Sequence, residues 1–201
     1  MHEAAIEHLR KADQTLARLI RRVGPCRLEP RRNASPFQAL VQSVAHQQLN
    51  GTAANTILNR LIGLYPGQKF PAPKDLLATP DRRLRGAGLS RAKVASIKDI
   101  AAKTLEGVVP ASRAIAKLSN EEILERLTAI RGVGPWTVEM LLIFMLGRPD
   151  VLPATDYGVR KGFAVTYRRK ELPAPVELLE HGERWRPYRT IASWYLWRSL
   201  D

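Results

Sequence analysis

Apolar residues recur along this chain every three or four positions and almost never alternate, which predicts helices throughout. Ile6, Leu9, Leu16, Leu19 and Ile20 form a first stripe, which stops at Gly24-Pro25. Residues 26–34 are basic and without period, and read as a loop. Ser35-Pro36 supplies a cap followed by proline at the first helical position, ahead of Phe37, Leu40, Val41 and Val44. Ala53, Ala54, Ile57, Leu58, Leu61 and Ile62 make the next stripe, ending before a loop over Pro66–Pro73. Thr79-Pro80 repeats the cap-plus-proline signal, and Gly86 with Gly88 closes that short helix. Ser90 caps a helix carrying Val94, Ile97, Ala101 and Leu105. Ser119 and Glu122 form a capping box ahead of Ile123, Leu124 and Leu127. Gly132 and Gly134 break that helix, and Pro135 opens another that runs to about Leu146. Shorter helices are predicted from Tyr157, after Pro175 and after Pro187. The fold class is therefore all-α, with about ten short helices and no repeat of 20–50 residues.

Charge adds a partner. Against 32 Lys and Arg stand 19 Asp and Glu, a net charge of +13. Residues 1–100 hold 17 bases and 7 acids, and residues 101–201 hold 15 and 12, so the excess is concentrated in the first half. No run of five like charges occurs. A folded basic surface for a polyanion is expected, nucleic acid before anionic membrane. Cys26 is the single cysteine, which excludes disulfides, a zinc knuckle and a four-cysteine iron–sulfur cluster. The segment MHEAAIEHLRKADQ has acids and no apolar core, so no signal peptide is expected there. No stretch approaches eighteen apolar residues, and no membrane partner is expected. His46 and His181 lack ligand spacing and read as surface or structural residues, although His46, beside Gln47-Gln48, is also a candidate DNA contact.

The densest chemistry lies in EEILERLTAIRGVGPWTVEMLLIFML, residues 121–146. Two amphipathic helices meet at Ile130-Arg131-Gly132-Val133-Gly134. Both glycines are expected to take positive φ and to let another backbone approach. The N–H groups there and at the following helix start would suit a phosphate. A plain helical hairpin would use the same glycines for the turn alone. Trp136 reads either as core or as a stacking surface for an extruded base. Asp156, alone in charge between Val151 and Val159, reads either as a helix N-cap or as a carboxylate facing a reaction site.

From Leu127 to Phe163 the chain resembles the helix-hairpin-helix and Gly/Pro…Asp signature of the DNA glycosylase superfamily. Its branch resembles the 3-methyladenine-DNA glycosylase II enzymes, as do residues 35–54, 84–101 and 183–197. That resemblance implies a single helical glycosylase domain, 1–201, with two lobes, about 1–34 plus 150–201 and about 35–149. The active site is expected in the cleft between them. It implies Asp156 as the catalytic carboxylate, Trp136, Trp197 and Tyr157 around the base, and Gly132, Val133 and Gly134 on the DNA backbone. A wedge is implied near Gln47, Gln48 and Leu49, with Leu49 favoured and Asn50 the alternative. Gly88, Ser90 and Lys93, among Arg82, Arg83, Arg85 and Arg91, join the expected DNA contacts. The carbonyls of Thr128, Ile130 and Val133 match positions that hold a monovalent cation, K+ or Na+; no catalytic cofactor is implied.

The implied reaction is hydrolytic removal of alkylated purines, such as 3-methyladenine and 7-methylguanine, from double-stranded DNA by a monomer. A bacterial chain of this kind is expected in the cytoplasm with the nucleoid. Two departures refine the expectation. Lyase members carry a lysine at the hairpin helix start, where this chain has Pro135 and Trp136, and no lysine lies between Lys117 and Lys161. The roughly thirty-five residues before the first matching segment leave no room for the β-domain of larger bacterial relatives. A glycosylase for deaminated or oxidised bases and a non-catalytic hairpin DNA-binding protein remain the alternatives.

Overall fold

Among the described helices, five begin at a short polar side chain that caps them, Asp13, Ser35, Ser90, Ser119 and Asp156. A computed structural model describes residues 2–31, 34–49 and 51–201. Among these the chain forms thirteen α-helices and no strand, in agreement with the all-α expectation. They are α1 (Glu3–Ala12), α2 (Gln14–Val23), α3 (Pro36–His46), α4 (Gly51–Gly63), α5 (Pro73–Ala78), α6 (Asp81–Gly86), α7 (Arg91–Leu105), α8 (Ser112–Ile115), α9 (Asn120–Thr128), α10 (Pro135–Leu141), α11 (Tyr157–Thr166), α12 (Pro175–Gly182) and α13 (Arg189–Arg198). A π-helical turn, Leu142–Leu146, continues α10, and a 3-10 turn, Glu183–Trp185, follows α12. None of the described helices is long and apolar enough to cross a membrane.

The caps at Ser35, Ser90 and Ser119 form as local chemistry dictates. Their hydroxyls accept from the backbone of Gln38, Lys93 and Glu122. Glu122 returns the bond to the Ser119 N–H at 2.7 Å. Each such cap contributes about 1 kcal/mol.

Two boundaries differ from expectation. The stripe from Ile6 to Ile20 is split at Asp13, whose backbone is extended and whose Oδ1 accepts from Thr15 and Leu16 N–H at 3.0 Å. Asp competes with the helical backbone and is more stable as a cap. Thr79 does not cap α6; its hydroxyl bonds back to the Asp75 carbonyl and ends α5 instead. Pro80, which has no side-chain acceptor, precedes α6.

The chain divides into two units, one of residues 1–30 with 142–201 and one of residues 31–141. The second crossing thus falls at the junction of α10 with its π turn, earlier in the chain than the sequence suggested. In the first unit Leu9, Leu16, Ile20, Val159, Phe163, Trp185, Tyr195 and Leu196 are buried. Asp13 lies among them, and its Oδ2 accepts from Tyr167 Oη at 2.6 Å, His181 Nε2 at 3.1 Å and Trp185 Nε1 at 3.1 Å. Burial alone would raise this carboxyl; the bonds from His181, Leu16, Tyr167 and Trp185 outweigh it and hold the group well below the usual carboxylate range. In the second unit α7 packs on α3 and α5, burying Leu40, Val41, Leu76, Val94, Ile97 and Ile100.

Candidate functional site

The hairpin between α9 and α10 is built from backbone bonds. Ile130 N–H donates to Leu127, and Val133 N–H to Ile130, each at 3.1 Å. Arg131 N–H donates to Asp99 Oδ2 at 2.8 Å, fixing the turn to α7. Gly132 takes φ +74°, and a Cβ there would overlap the Ser96 hydroxyl. Glycine is thus required at 132 by both backbone and packing.

Gly134 corrects the sequence argument. Its φ lies outside the left-handed region, and open space surrounds the place a Cβ would occupy. Its carbonyl begins α10 by accepting from Thr137 and Val138 N–H. Nothing inside the protein demands a glycine there, so the bare backbone at the head of α10 is available to something outside it.

Gln47 ties the turn after α3 to this hairpin. Its Nε2 donates to the Gly132 carbonyl and to Thr137 Oγ1, both at 3.0 Å. Lys93 Nζ donates to the carbonyls of Ala45 and Gln47 at 2.9 and 2.8 Å, closing the C-terminal end of α3. Partial burial pushes its ammonium below the ordinary lysine range. Lys93 thus braces this turn with two of its three N–H donors. Gln48 has φ +57°, and Leu49 is 41% exposed at the tip. Asn50 lies outside the described residues. Gly88 takes φ +105° against Ile57, and Ser90 caps α7, so each has a structural duty. His46 has partners at both nitrogens, the Gln42 carbonyl and Asn55 Oδ1.

In the first unit Asp156 caps α11. Its Oδ1 accepts from Val159 N–H and from Trp197 Nε1, each at 2.8 Å. The Trp197 ring stacks on Phe144 with centroids 5.6 Å apart, and Phe144 is carried there by the π turn after α10. Tyr157 is 67% exposed beside the carboxylate. Trp136, in the second unit, is half-buried rather than core. Asp156 and Trp197, both expected at the site, are brought together here, and Phe144, hidden in a uniform apolar run of the sequence, joins them. Sequence reasoning missed Phe144 and also Gly158, whose hypothetical Cβ would lie 2.8 Å from Trp197 Cδ1 and 3.1 Å from Asp156 Oδ1.

Among the described residues no three His, Cys, Asp or Glu side chains gather as metal ligands. Thr128 ends α9, and Ile130 and Val133 lie in the turn that follows it. Ile130 uses one lone pair on Val133 N–H, and a carbonyl has a second. Backbone carbonyl oxygens are the donor type that hard monovalent cations take.

A glycine hairpin with an open helix head, and a carboxylate at a helix start held by an indole, define the class of protein. Residues 41–187 match the HhH-GPD superfamily of base excision DNA repair proteins, and the chain belongs to that family. It is 41% identical to DNA-3-methyladenine glycosylase 1 of Schizosaccharomyces pombe, over 96% of this chain and 85% of that protein. Its structure resembles that of S. pombe 3-methyladenine DNA glycosylase (Mag1) in complex with abasic DNA, with TM-score 0.92 and 40% identity over 97% and 95% of the two chains. It also resembles the DNA-3-methyladenine glycosidase of Bacillus halodurans, with TM-score 0.80 and 32% identity over 98% and 89%.

Proposed function

We propose that this protein is a monofunctional DNA glycosylase that hydrolyses the N-glycosidic bond of alkylated purines in duplex DNA, the first step of base excision repair. The observation that carries the reading is Asp156, fixed through one oxygen by Val159 N–H and the Trp197 indole. Similarity to relatives named for 3-methyladenine, one of them solved on abasic DNA, supports the substrate class.

Alkylation at N3 or N7 puts positive charge on the purine and makes it a good leaving group. As the bond to the sugar lengthens, the sugar becomes oxocarbenium-like, and a fixed carboxylate stabilises it and orients the attacking water. Trp136 at the head of α10 offers a face for a cationic base, a contact contributing ~1–2 kcal/mol. Selectivity gains further from the lower cost of extruding damaged, weakly stacked bases.

Without a lysine between Lys117 and Lys161, no amine from the hairpin helix start is available for a Schiff base, so the abasic product is released unnicked. The hairpin holds DNA by its backbone, with Gly132, Val133 and Gly134 toward a phosphate. The carbonyls of Thr128, Ile130 and Val133 would hold the bridging cation, which supplies charge to that phosphate. Chemistry at one base asks for a single copy of the chain, and in a bacterial cell the substrate puts its work at the nucleoid.

The test is base release from duplexes carrying 3-methyladenine, 7-methylguanine, hypoxanthine or 8-oxoguanine, each with wild type and Asp156→Asn. Alkylated purines should be released without strand cleavage, and Asp156→Asn should bind abasic DNA yet release no 3-methyladenine. Release confined to hypoxanthine or 8-oxoguanine would overturn the substrate class. Excision by the asparagine variant would remove Asp156 from the chemistry.

A further inference from the structure

Trp197 carries an indole N–H that a base-stacking role does not use, and that N–H is aimed at Asp156. We propose that Trp197 is a positioning residue for the Asp156 carboxylate, seated against α11 by two glycines; the inference rests on Asp156 acting in base release. Two donors meet the same oxygen, Oδ1, at 2.8 Å each, one from the backbone of Val159 and one from the indole. Two fixed donors on one oxygen set both the rotamer and the plane of the carboxylate, and so determine how its other oxygen is presented.

The indole can reach only because α11 is bare on the facing side. Gly158 and Gly162 are four residues apart and so lie on one face of the helix. A Cβ at Gly162 would overlap the Leu196 carbonyl, so the backbones of α11 and α13 touch there. Ser199 Oγ adds a bond to the Gly162 carbonyl at 3.3 Å. A Cβ at Gly158 would stand 2.8 Å from Trp197 Cδ1 and 3.0 Å from Nε1, closer than side chains pack. On its stacking side the ring lies on Phe144, inclined by 28°. Trp197 is thus gripped by Phe144, Gly158 and its own helix, a surround that suits a strut more than an adaptable base platform.

Trp197→Phe keeps a ring for Phe144 and deletes the donor. In single-turnover excision of 7-methylguanine at saturating protein, the rate constant should fall about 10–100-fold, as when an outer hydrogen-bond partner of a functional group is lost. The dissociation constant for an abasic duplex should stay unchanged, and the thermal midpoint should fall by only a few degrees. Gly158→Ala, which leaves Trp197 in place but crowds it, should lower the same rate constant with similarly unchanged abasic binding.

A wild-type rate in Trp197→Phe would overturn the proposal. So would a loss of affinity for the lesion-bearing duplex as large as the loss of rate, which is the signature of stacking on the base. If wild-type protein released no base from any lesion, the glycosylase reading would fail. The contact would then be judged by the Trp197 indole N–H resonance. Its protection from exchange should vanish in Asp156→Ala, and unchanged protection would refute the positioning role.

Discussion

The two hairpin glycines are two residues apart and look equivalent, yet substituting alanine at each should give opposite results. At Gly132, alanine must hold φ near +74°, which costs about 1 kcal/mol for a residue with a Cβ. Its Cβ also meets Ser96, overlapping the hydroxyl and standing 2.7 Å from that residue's own Cβ. Ser96 is 6% exposed and bonded to the Ala92 carbonyl, so it cannot simply rotate away. Overpacking of this kind costs about 1–3 kcal/mol. Gly132→Ala should therefore destabilise the protein by about 2–4 kcal/mol. At 2–4 °C per kcal/mol for a chain of this size, the thermal midpoint falls by roughly 5–15 °C.

At Gly134 the same methyl enters open space at an allowed φ. The weaker helix start, a few tenths of a kcal/mol, is offset by the reduced entropy of the unfolded chain, about 0.4–1 kcal/mol. Gly134→Ala should leave the midpoint within roughly 4 °C while weakening binding to an abasic duplex, because the methyl stands where a phosphate would approach. Thermal unfolding by circular dichroism and duplex binding by fluorescence anisotropy read the two effects separately. Equal midpoint losses, or intact binding by Gly134→Ala, would refute the division of labour between the glycines.

Asp13→Asn should cost about 3 kcal/mol, since the amide cannot accept from Tyr167, His181 and Trp185 together while still capping α2. The folded carboxyl is held below its ordinary value, so its contribution to stability is present above about pH 4 and is lost as pH falls below that range. A wild-type thermal midpoint that falls between pH 5 and pH 3 with a slope shared by Asp13→Asn would count against this. Gln47→Ala removes the bonds to Gly132 and Thr137 and so uncouples the Leu49 turn from the hairpin. Abasic-duplex affinity should drop about tenfold, the equivalent of roughly 1.4 kcal/mol, and unchanged affinity would show that the two elements bind independently.

What could be read in advance follows the reach of each interaction along the chain. Ser35, Ser90 and Ser119 act on N–H groups three residues away, and their helices start where the sequence says. Asp13 is equally a local cap, but the stripe of Leu9 and Leu16 keeps helical phase across it and hides the break. Its main partners lie 154 to 172 residues further on, beyond any local pattern. Asp156 stands out because its neighbours carry no charge. Gly158, which makes room for the indole, and Phe144, which supports it, are visible only once α13 and the π turn have been brought to α11.

Charge behaves in the same way. The +13 total points to a polyanion, but the total does not say which cations are available to it. Lys93 is engaged by the end of α3, Arg126 donates to the carbonyls of Gly107 and Val108, and Arg189 is locked on Asp150. Each of these fills an orphan carbonyl or pairs a half-buried carboxylate, work that any basic side chain of the right reach does in a protein binding no DNA at all. In the function proposed above the hairpin grips by other means, through backbone N–H at the head of α10 and a glycine with nothing beside it. On that proposal a neutral motif would mark where the phosphate goes, while the surplus arginines and lysines would set how strongly the duplex is drawn toward it; substitutions at surface cations should therefore change salt dependence, and substitutions at Gly134 should change register.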